Sequence, residues 1–380
     1  MKARQNPPAR LTSLIDRIAP LDAAAMDAAR QRQDLLTKPP GSLGRLERLA
    51  TQLAGITGRP LPRLPRKAVI VMAADHGVAG EGVSAYPQEV TAEMVRNFAS
   101  GGAAINVLAR QAGARVIVVD IGVASELPAT LPIVHRKIAF GTANLTDGPA
   151  MTREQALAAI NVGIEVVALE AKRGLDVVCL GEMGIGNTTA ASALVAAITG
   201  LPVAEVTGRG TGIDDATWRH KVAIIERALD VTKPDASEPL DVLAKVGGLE
   251  IAGLVGVALG AASQRIAVVV DGFIATSAAM VAVLLCPHIR SYLIAAHRSV
   301  EVGHRAALES LELEPLLALD LRLGEGSGAA LVLPIFDAAL ALLIEMATFE
   351  QAGVSGASDP RGTFPDNDLR LADTERRAGV

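Results

Sequence analysis

Asp176-Val177-Val178-Cys179-Leu180-Gly181-Glu182-Met183-Gly184-Ile185-Gly186-Asn187-Thr188-Thr189 is the stretch that decides the fold. A short apolar run stops at an acidic residue set between glycines, and an Ala-rich segment over residues 190–198 reads as a helix. A continuous apolar run leaves neither face for water, so it reads as a buried strand. The same grammar recurs three times. Residues 68–72 run into Asp75-His76-Gly77, residues 115–119 into Asp120-Ile121-Gly122, and residues 266–270 into Asp271-Gly272. Strands alternating with helices predict an α/β fold, a parallel sheet with helices on both faces. Ligands of such sheets bind at the carboxyl ends of the strands. The acidic residues fall at those ends in all four cases.

Composition supports this class and excludes others. Of 380 residues, 50% are hydrophobic and only 2% aromatic, so the core is built from Ala, Val, Leu and Ile. The net charge is -5, with 36 Lys+Arg against 41 Asp+Glu. That balance lacks the basic field and stacking platforms of nucleic-acid binders. Two cysteines, Cys179 and Cys286, sit in apolar runs and read as buried free thiols of a reducing compartment. The opening residues do not read as a secretory leader. The uncharged run over residues 183–204 is long enough to raise the membrane question, but it opens with Gly, Asn and Thr and carries Pro202. It reads as a loop feeding a buried helix, with no membrane insertion, and the expected location is the cytoplasm.

The expected organisation has four parts. Residues 1–65 read as helical, broken at Lys38-Pro39-Pro40-Gly41-Ser42, with Ser42 as N-cap of a helix over residues 43–56. Residues 66–328 form the α/β unit. Residues 329–350 give one strongly apolar helix containing Pro334, and the Gly-, Ser-, Pro- and Asp-rich tail over 351–380 reads as poorly ordered.

Three loops carry candidate chemistry. In residues 181–189 glycines allow close backbone approach, and the N–H groups at the start of the helix can hold a phosphate. Gly184, Gly186, Asn187 and Thr188 are the candidates, with Thr189 a further hydroxyl. No Gly-Lys-Ser/Thr follows, so this is not a Walker loop. Gly184 and Gly186 fit the first two positions of a dinucleotide fingerprint and Glu205 lies at the distance of a ribose-binding acid, which keeps a nicotinamide-dependent dehydrogenase open. Gly208-Arg209-Gly210-Thr211-Gly212 precedes a helix beginning near Thr217 that carries Lys221. Lys221 could reach a phosphate, although spacing alone favours a solvated surface lysine. Gly324-Glu325-Gly326-Ser327-Gly328 sets a carboxylate between glycines before an apolar helix. Apolar backing would raise its pKa toward that of a useful general base. His76 and His297 favour hydrogen-bonding roles, and no His/Cys/Asp spacing forms a metal site.

Taken in order, six segments resemble one family. They are residues 38–47 (Lys-Pro-Pro-Gly-Ser-Leu-Gly-Arg-Leu-Glu), 74–78 with 81–83, 181–189, Lys245-Val246-Gly247-Gly248, Asp271-Gly272-Phe273 and 322–328. Across residues 11–353 the chain resembles the nicotinate-nucleotide–dimethylbenzimidazole phosphoribosyltransferase family of cobalamin biosynthesis. The resemblance implies a Rossmann-like large domain, a small helical domain drawn from both chain ends, and a homodimer. It implies transfer of the 5-phosphoribosyl group from nicotinate mononucleotide to 5,6-dimethylbenzimidazole, with no metal or organic cofactor. It makes Glu325 the general base and Glu182 a second carboxylate near the ribose. Gly184, Gly186, Asn187, Thr188 and Lys221 become phosphate ligands. Ser84, Tyr86, Gln88 and Leu323 fall at the base pocket. Tyr86 departs from the small residue often found before the proline matching Pro87, which bears on the shape of that pocket. A binding or regulatory protein that kept the fold and lost activity is the non-enzyme alternative, and the presence of both Glu325 and Glu182 argues against it.

Overall fold

The computed structural model describes residues 9–355. Six strands form one all-parallel sheet: β1 (Lys67–Ala74), β2 (Ala114–Gly122), β3 (Val134–His135), β4 (Val177–Met183), β5 (Ala267–Val270) and β6 (Leu293–Ala295). Their spatial order is β3-β2-β1-β4-β5-β6, the doubly wound Rossmann order, whose switch point lies between β1 and β4. The four strands read from the sequence are β1, β2, β4 and β5. The expectation did not include β3 or β6, which have two and three residues.

Every residue of β1 is buried, so both sheet faces are covered. The helices are α1 (Ala9–Ile15), α2 (Ala23–Leu35), α3 (Arg45–Thr57), α4 (Val90–Ser100), α5 (Ala104–Gln111) and α6 (Arg153–Lys172) in the first half. In the second half they are α7 (Asn187–Thr199), α8 (Val203–Val206), α9 (Asp215–Thr232), α10 (Pro239–Val246), α11 (Leu249–Ala262), α12 (Phe273–Leu285), α13 (Val302–Leu311), α14 (Ser327–Glu345) and α15 (Phe349–Ala352).

Fully buried α11 lies across the central strands with α6 packed on it. The two helices meet backbone to backbone. A Cβ on Gly256 would fall 1.9 Å from the Ile160 carbonyl oxygen, and one on Gly163 2.0 Å from that of Gly253. A second group, α3, α5 and α14, contacts β5, β2 and β4 respectively.

The chain ends come together in this second group. Leu36 and Thr348 form an isolated antiparallel bridge, and the Arg32 guanidinium donates to the Leu343, Ile344 and Met346 carbonyls at the end of α14. These acceptors are the carbonyls that a helix C-terminus leaves unpaired. Among the described residues α14 is the one helix long and apolar enough to cross a membrane by length and composition. It is 56% buried over the window that meets this test. Its Asp337 pairs with Lys67 of β1.

One expectation is corrected. Ser42 does not cap α3. The helix starts at Arg45 with Gly44 as N-cap, while the Leu43 N–H donates to Glu47 Oε1 at 3.0 Å and Lys38 pairs with that same oxygen at 2.8 Å. The uncharged run over residues 183–204 folds as read, a turn feeding the buried 13-residue α7, with α8 starting at Val203; neither helix is long enough to span a bilayer. Most of the tail expected over 351–380 lies outside the described residues.

Candidate active site

At the β1/β4 switch point a cavity of about 520 Å³ opens. Glu182, at the end of β4, lines it together with residues 183–188, Ser84, Tyr86, Gly210, Thr211, Arg322, Leu323 and Glu325. A larger concavity, about 880 Å³, lies between the start of α6 and residues 233–245. The smaller cavity is the one that gathers buried carboxylates with shifted pKa values, the usual mark of a functional site.

Most of the residues proposed from the sequence converge there. The β4–α7 turn presents Gly184, Gly186, Asn187 and Thr188, with the Ile185 N–H held by Thr91 Oγ1 at 3.0 Å. The Asn187 amide donates to Glu182 Oε2 and fixes that carboxyl. Lys221 is 1% exposed, which overturns the surface-lysine reading. Its Nζ donates to Thr188 Oγ1 at 2.7 Å, so it stands behind the cavity wall. Burial pulls its pKa down to about 8, against the attraction of Glu301. Ser84 and Tyr86 belong to a loop tied to the second glycine loop, where the Ala85 N–H donates to Thr211 Oγ1 at 3.0 Å. Tyr86 and Leu323 stand at the mouth, 55% and 57% exposed. Gln88 is not among the lining residues, although Tyr86 and Val90 on either side of it are. Thr189 is fully buried and also absent from the lining.

Glu325 is held under strain. Gly324, Glu325 and Gly326 all adopt positive φ, at 86°, 63° and 86°. A non-glycine residue in this region costs roughly 1–2 kcal/mol, and such strain clusters at functional sites. Gly324 permits no side chain, since its Cβ would fall 2.2 Å from Glu182 Oε1. Glu325 Oε2 accepts the Ile105 N–H at the start of α5, at 3.1 Å. Burial raises the Glu325 pKa and that hydrogen bond opposes the rise. Among the described residues Oε1 has no hydrogen-bond partner and is left for an incoming donor.

Asp271 anchors this loop from below, a role the sequence reading missed. Its carboxyl accepts the Gly326 N–H at 3.2 Å and the Ala329 N–H at 2.8 Å, capping α14 from the end of β5. Burial pushes it up to about 7, against those backbone donors. His76, also buried, pairs with Glu250 at 2.7 Å beneath the β4–α7 turn. Burial pulls its pKa down, but Glu250 and Asp75 outweigh it and hold the imidazole above its ordinary value. His297 lies 3.8 Å from Asp271, and burial lowers its pKa. His297, Arg322 and Thr211, from segments the sequence analysis named without assigning them to the site, also line the cavity, and so do Ser299 and Glu301, which it missed. The segment after β6 carries no glycine signature. Its signal was a polar cluster following a short apolar run. Among the described residues no group of three or more His, Cys, Asp or Glu side chains is placed to hold a metal ion.

Burial pushes Glu182 up to about 8, with Asp271 adding repulsion. A carboxyl whose folded pKa is raised contributes stability that is complete below its ordinary value and is lost as pH rises through the folded one. For Glu182 that window runs from 4.5 to about 8. Glu182→Gln keeps an acceptor for Asn187 and removes the titration. It is expected to flatten the fall in melting temperature between about pH 5 and pH 8. A scanning-calorimetry profile as steep as wild type would assign the titration elsewhere.

The phosphoribosyltransferase family profile matches residues 18–354. The chain is 61% identical over 345 residues to the nicotinate-nucleotide–dimethylbenzimidazole phosphoribosyltransferase of Chloroflexus aggregans, covering 91% of this chain and 98% of that protein. The protein of the same name from Geobacter sulfurreducens is 55% identical over 346 residues, again with 91% and 98% coverage. A crystal structure of the Thermus thermophilus enzyme of that name superposes with a TM-score of 0.84 at 48% identity, over 89% of this chain and 100% of that one. With a profile spanning most of its length and relatives of this similarity, the chain belongs to the nicotinate-nucleotide–dimethylbenzimidazole phosphoribosyltransferase family.

Proposed function

We propose that this chain transfers the 5-phosphoribosyl group of nicotinate mononucleotide to 5,6-dimethylbenzimidazole, giving α-ribazole 5′-phosphate and nicotinate, with Glu325 as general base. The observation that carries the reading is the Glu325 carboxyl, strained, partly desolvated and with one oxygen free, in the cavity that also presents the glycine turn. A neutral benzimidazole is a modest nucleophile. A carboxylate that accepts its N–H proton makes the opposite ring nitrogen the attacking atom at C1′ of the ribose. The C1′–N bond to the pyridinium breaks, and its electron pair neutralises the ring, so the leaving group needs no acid. Positioning supplies much of the remaining acceleration.

The start of α7 offers backbone donors and a positive helix end to the phosphate, and Lys221 acts through Thr188. Lys221→Met is expected to weaken nicotinate mononucleotide binding by roughly tenfold to a hundredfold while leaving dimethylbenzimidazole binding unchanged. Isothermal calorimetry with each ligand separates the two, and equal affinity for the nucleotide would remove Lys221 from the phosphate site.

Ser84, Tyr86, Gln88 and Leu323 are proposed for the benzimidazole side and Glu182 for the ribose side. Residues 1–65 with 329–350 are proposed as the small helical domain and 66–328 as the α/β domain, supported by the contacts of α2 and α3 with α14. The homodimer implied by the resemblance and the cytoplasmic location expected from the sequence belong to the same proposal, and analytical ultracentrifugation tests the first. The decisive assay mixes the protein with nicotinate mononucleotide and dimethylbenzimidazole and follows nicotinate and ribazole phosphate by mass spectrometry. No product from wild type would sink the assignment.

A further inference from the structure

The β4–α7 turn spends some of its amides on its own shape and leaves others free. The Asn187 N–H donates to the Gly184 carbonyl at 3.1 Å, and the Thr189 N–H to the Gly186 carbonyl at 2.9 Å. The Ile185 N–H finds no acceptor within the turn. It donates instead to Thr91 Oγ1 on α4, at 3.0 Å and out of contact with water. Among the described residues the Gly186 and Thr188 N–H groups make no hydrogen bond. Free amides at the start of a helix are the donors that suit an anion.

Thr91 itself is fully buried and is not part of the cavity wall, although its neighbours Val90 and Met94 are. Its N–H donates to the Gln88 carbonyl at 3.0 Å, so it also closes the first turn of α4 behind the loop that carries Ser84 and Tyr86. A helical threonine ordinarily donates to the carbonyl one turn back. Thr57 does so to Leu53, Thr199 to Val195, Thr232 to Ala228 and Thr276 to Gly272. Thr91 makes no such bond among the described residues, and its hydroxyl faces other elements. Burial raises the pKa of Asp75, just past β1, while the Ala124 N–H and the Thr91 hydroxyl oppose the rise. The hydroxyl thus accepts from the turn with a carboxyl beside it to take its own proton.

The turn has little room to adjust. A Cβ on Gly184 would fall 2.2 Å from the Ala74 carbonyl oxygen, and Gly186 takes a φ of 93°. Without the Thr91 hydroxyl the Ile185 N–H is a buried donor with no partner, which is costly. Rotating the 184–185 peptide to find one would turn the Gly184 carbonyl away from the Asn187 N–H.

We infer that Thr91 is a positioning residue for the transfer reaction. Its hydroxyl draws the Ile185 N–H toward α4 and so sets the turn with the Gly186 and Thr188 N–H groups open to the phosphate of the nucleotide. The inference rests on the phosphoribosyl-transfer reading.

The test compares Thr91→Val, which keeps the shape and removes the hydroxyl, with Thr91→Ser, which keeps the hydroxyl. In calorimetry Thr91→Val is expected to bind nicotinate mononucleotide roughly tenfold more weakly, with dimethylbenzimidazole affinity unchanged. Thr91→Ser should stay within about threefold of wild type. In steady state the KM of Thr91→Val for the nucleotide should rise with kcat little changed. If Thr91 served packing alone, Thr91→Val would lose melting temperature or active fraction while its folded molecules bound the nucleotide as wild type does. That result overturns the inference, as does equal weakening in both variants. Should Thr91→Val not fold, residue-resolved hydrogen exchange of wild type decides. The Ile185 amide should exchange more slowly than those of Gly186 and Thr188, and the latter two should slow when the nucleotide is added. An Ile185 amide as fast as its neighbours overturns the inference too. Absence of product with a nucleotide affinity that depends on the hydroxyl sinks the reaction and keeps the role of Thr91, whereas product with equal affinity in all three proteins does the reverse.

Discussion

Glu325→Gln is expected to lose turnover by roughly 10²- to 10⁴-fold while nicotinate mononucleotide still binds. The amide keeps the volume of the carboxyl and can still accept the Ile105 N–H. It cannot take a proton. Loss of an interaction made only in the transition state lowers kcat and kcat/KM together, so steady-state kinetics with calorimetry of the nucleotide gives a clean signature. Burial raises the Glu325 pKa above its ordinary 4.5, and the working form is the ionised one. Wild-type kcat/KM should therefore fall on the acid side with a pKa above the ordinary glutamate value. That limb should vanish in the variant. Near-wild-type turnover by Glu325→Gln would remove this carboxylate from the mechanism.

Gly256→Ala should have the largest effect on stability. The added methyl would lie 1.9 Å from the Ile160 carbonyl oxygen and 2.7 Å from its carbon. These are backbone atoms of α6 and cannot rotate aside as a side chain would. Relief requires α6 and α11 to separate where α11 crosses the central strands. Overpacking of this kind costs up to about 3 kcal/mol or more, which corresponds to a fall of about 4 °C in melting temperature for a chain of this size. Scanning calorimetry reads it directly. An unchanged melting temperature would show that the two helices are not held at this distance. The site lies at the strand ends, so the folded fraction of the variant should retain its affinity for the nucleotide.

The central strands were legible because burial on both faces makes each a continuous apolar run, as Val69 to Val71 and Val177 to Leu180 show. Val134-His135 and Leu293–Ala295 were not, since two or three residues set no period and gain their identity from pairing with β2 and β5. In the site, Glu325 and the turn carrying Gly184, Gly186, Asn187 and Thr188 stood out as glycine punctuation around polar groups. Lys221 was misjudged as solvated because its partner, Thr188, is 33 residues away on another helix. Asp271 was visible as a strand end, but its hold on Gly326 and Ala329 joins segments 55 and 58 residues apart. Glu301 owes its place to Gly208, nearly a hundred positions earlier in the chain. Local pattern marks where a loop turns, while long-range contacts decide which side chain faces the cavity.

The closure between Thr37 and Ala347 has a consequence for biosynthesis. Their hydrogen bond spans 310 residues. At the usual elongation rate of about 5–20 residues per second, roughly 15–60 s separate the emergence of the two partners from the ribosome. During that interval α3 already displays Leu46 and Ala50, while α14, whose Ala339, Leu342 and Leu343 lie beside them, has not been translated. The amino-terminal pair of helices therefore completes its packing only late in synthesis, once α14 has emerged.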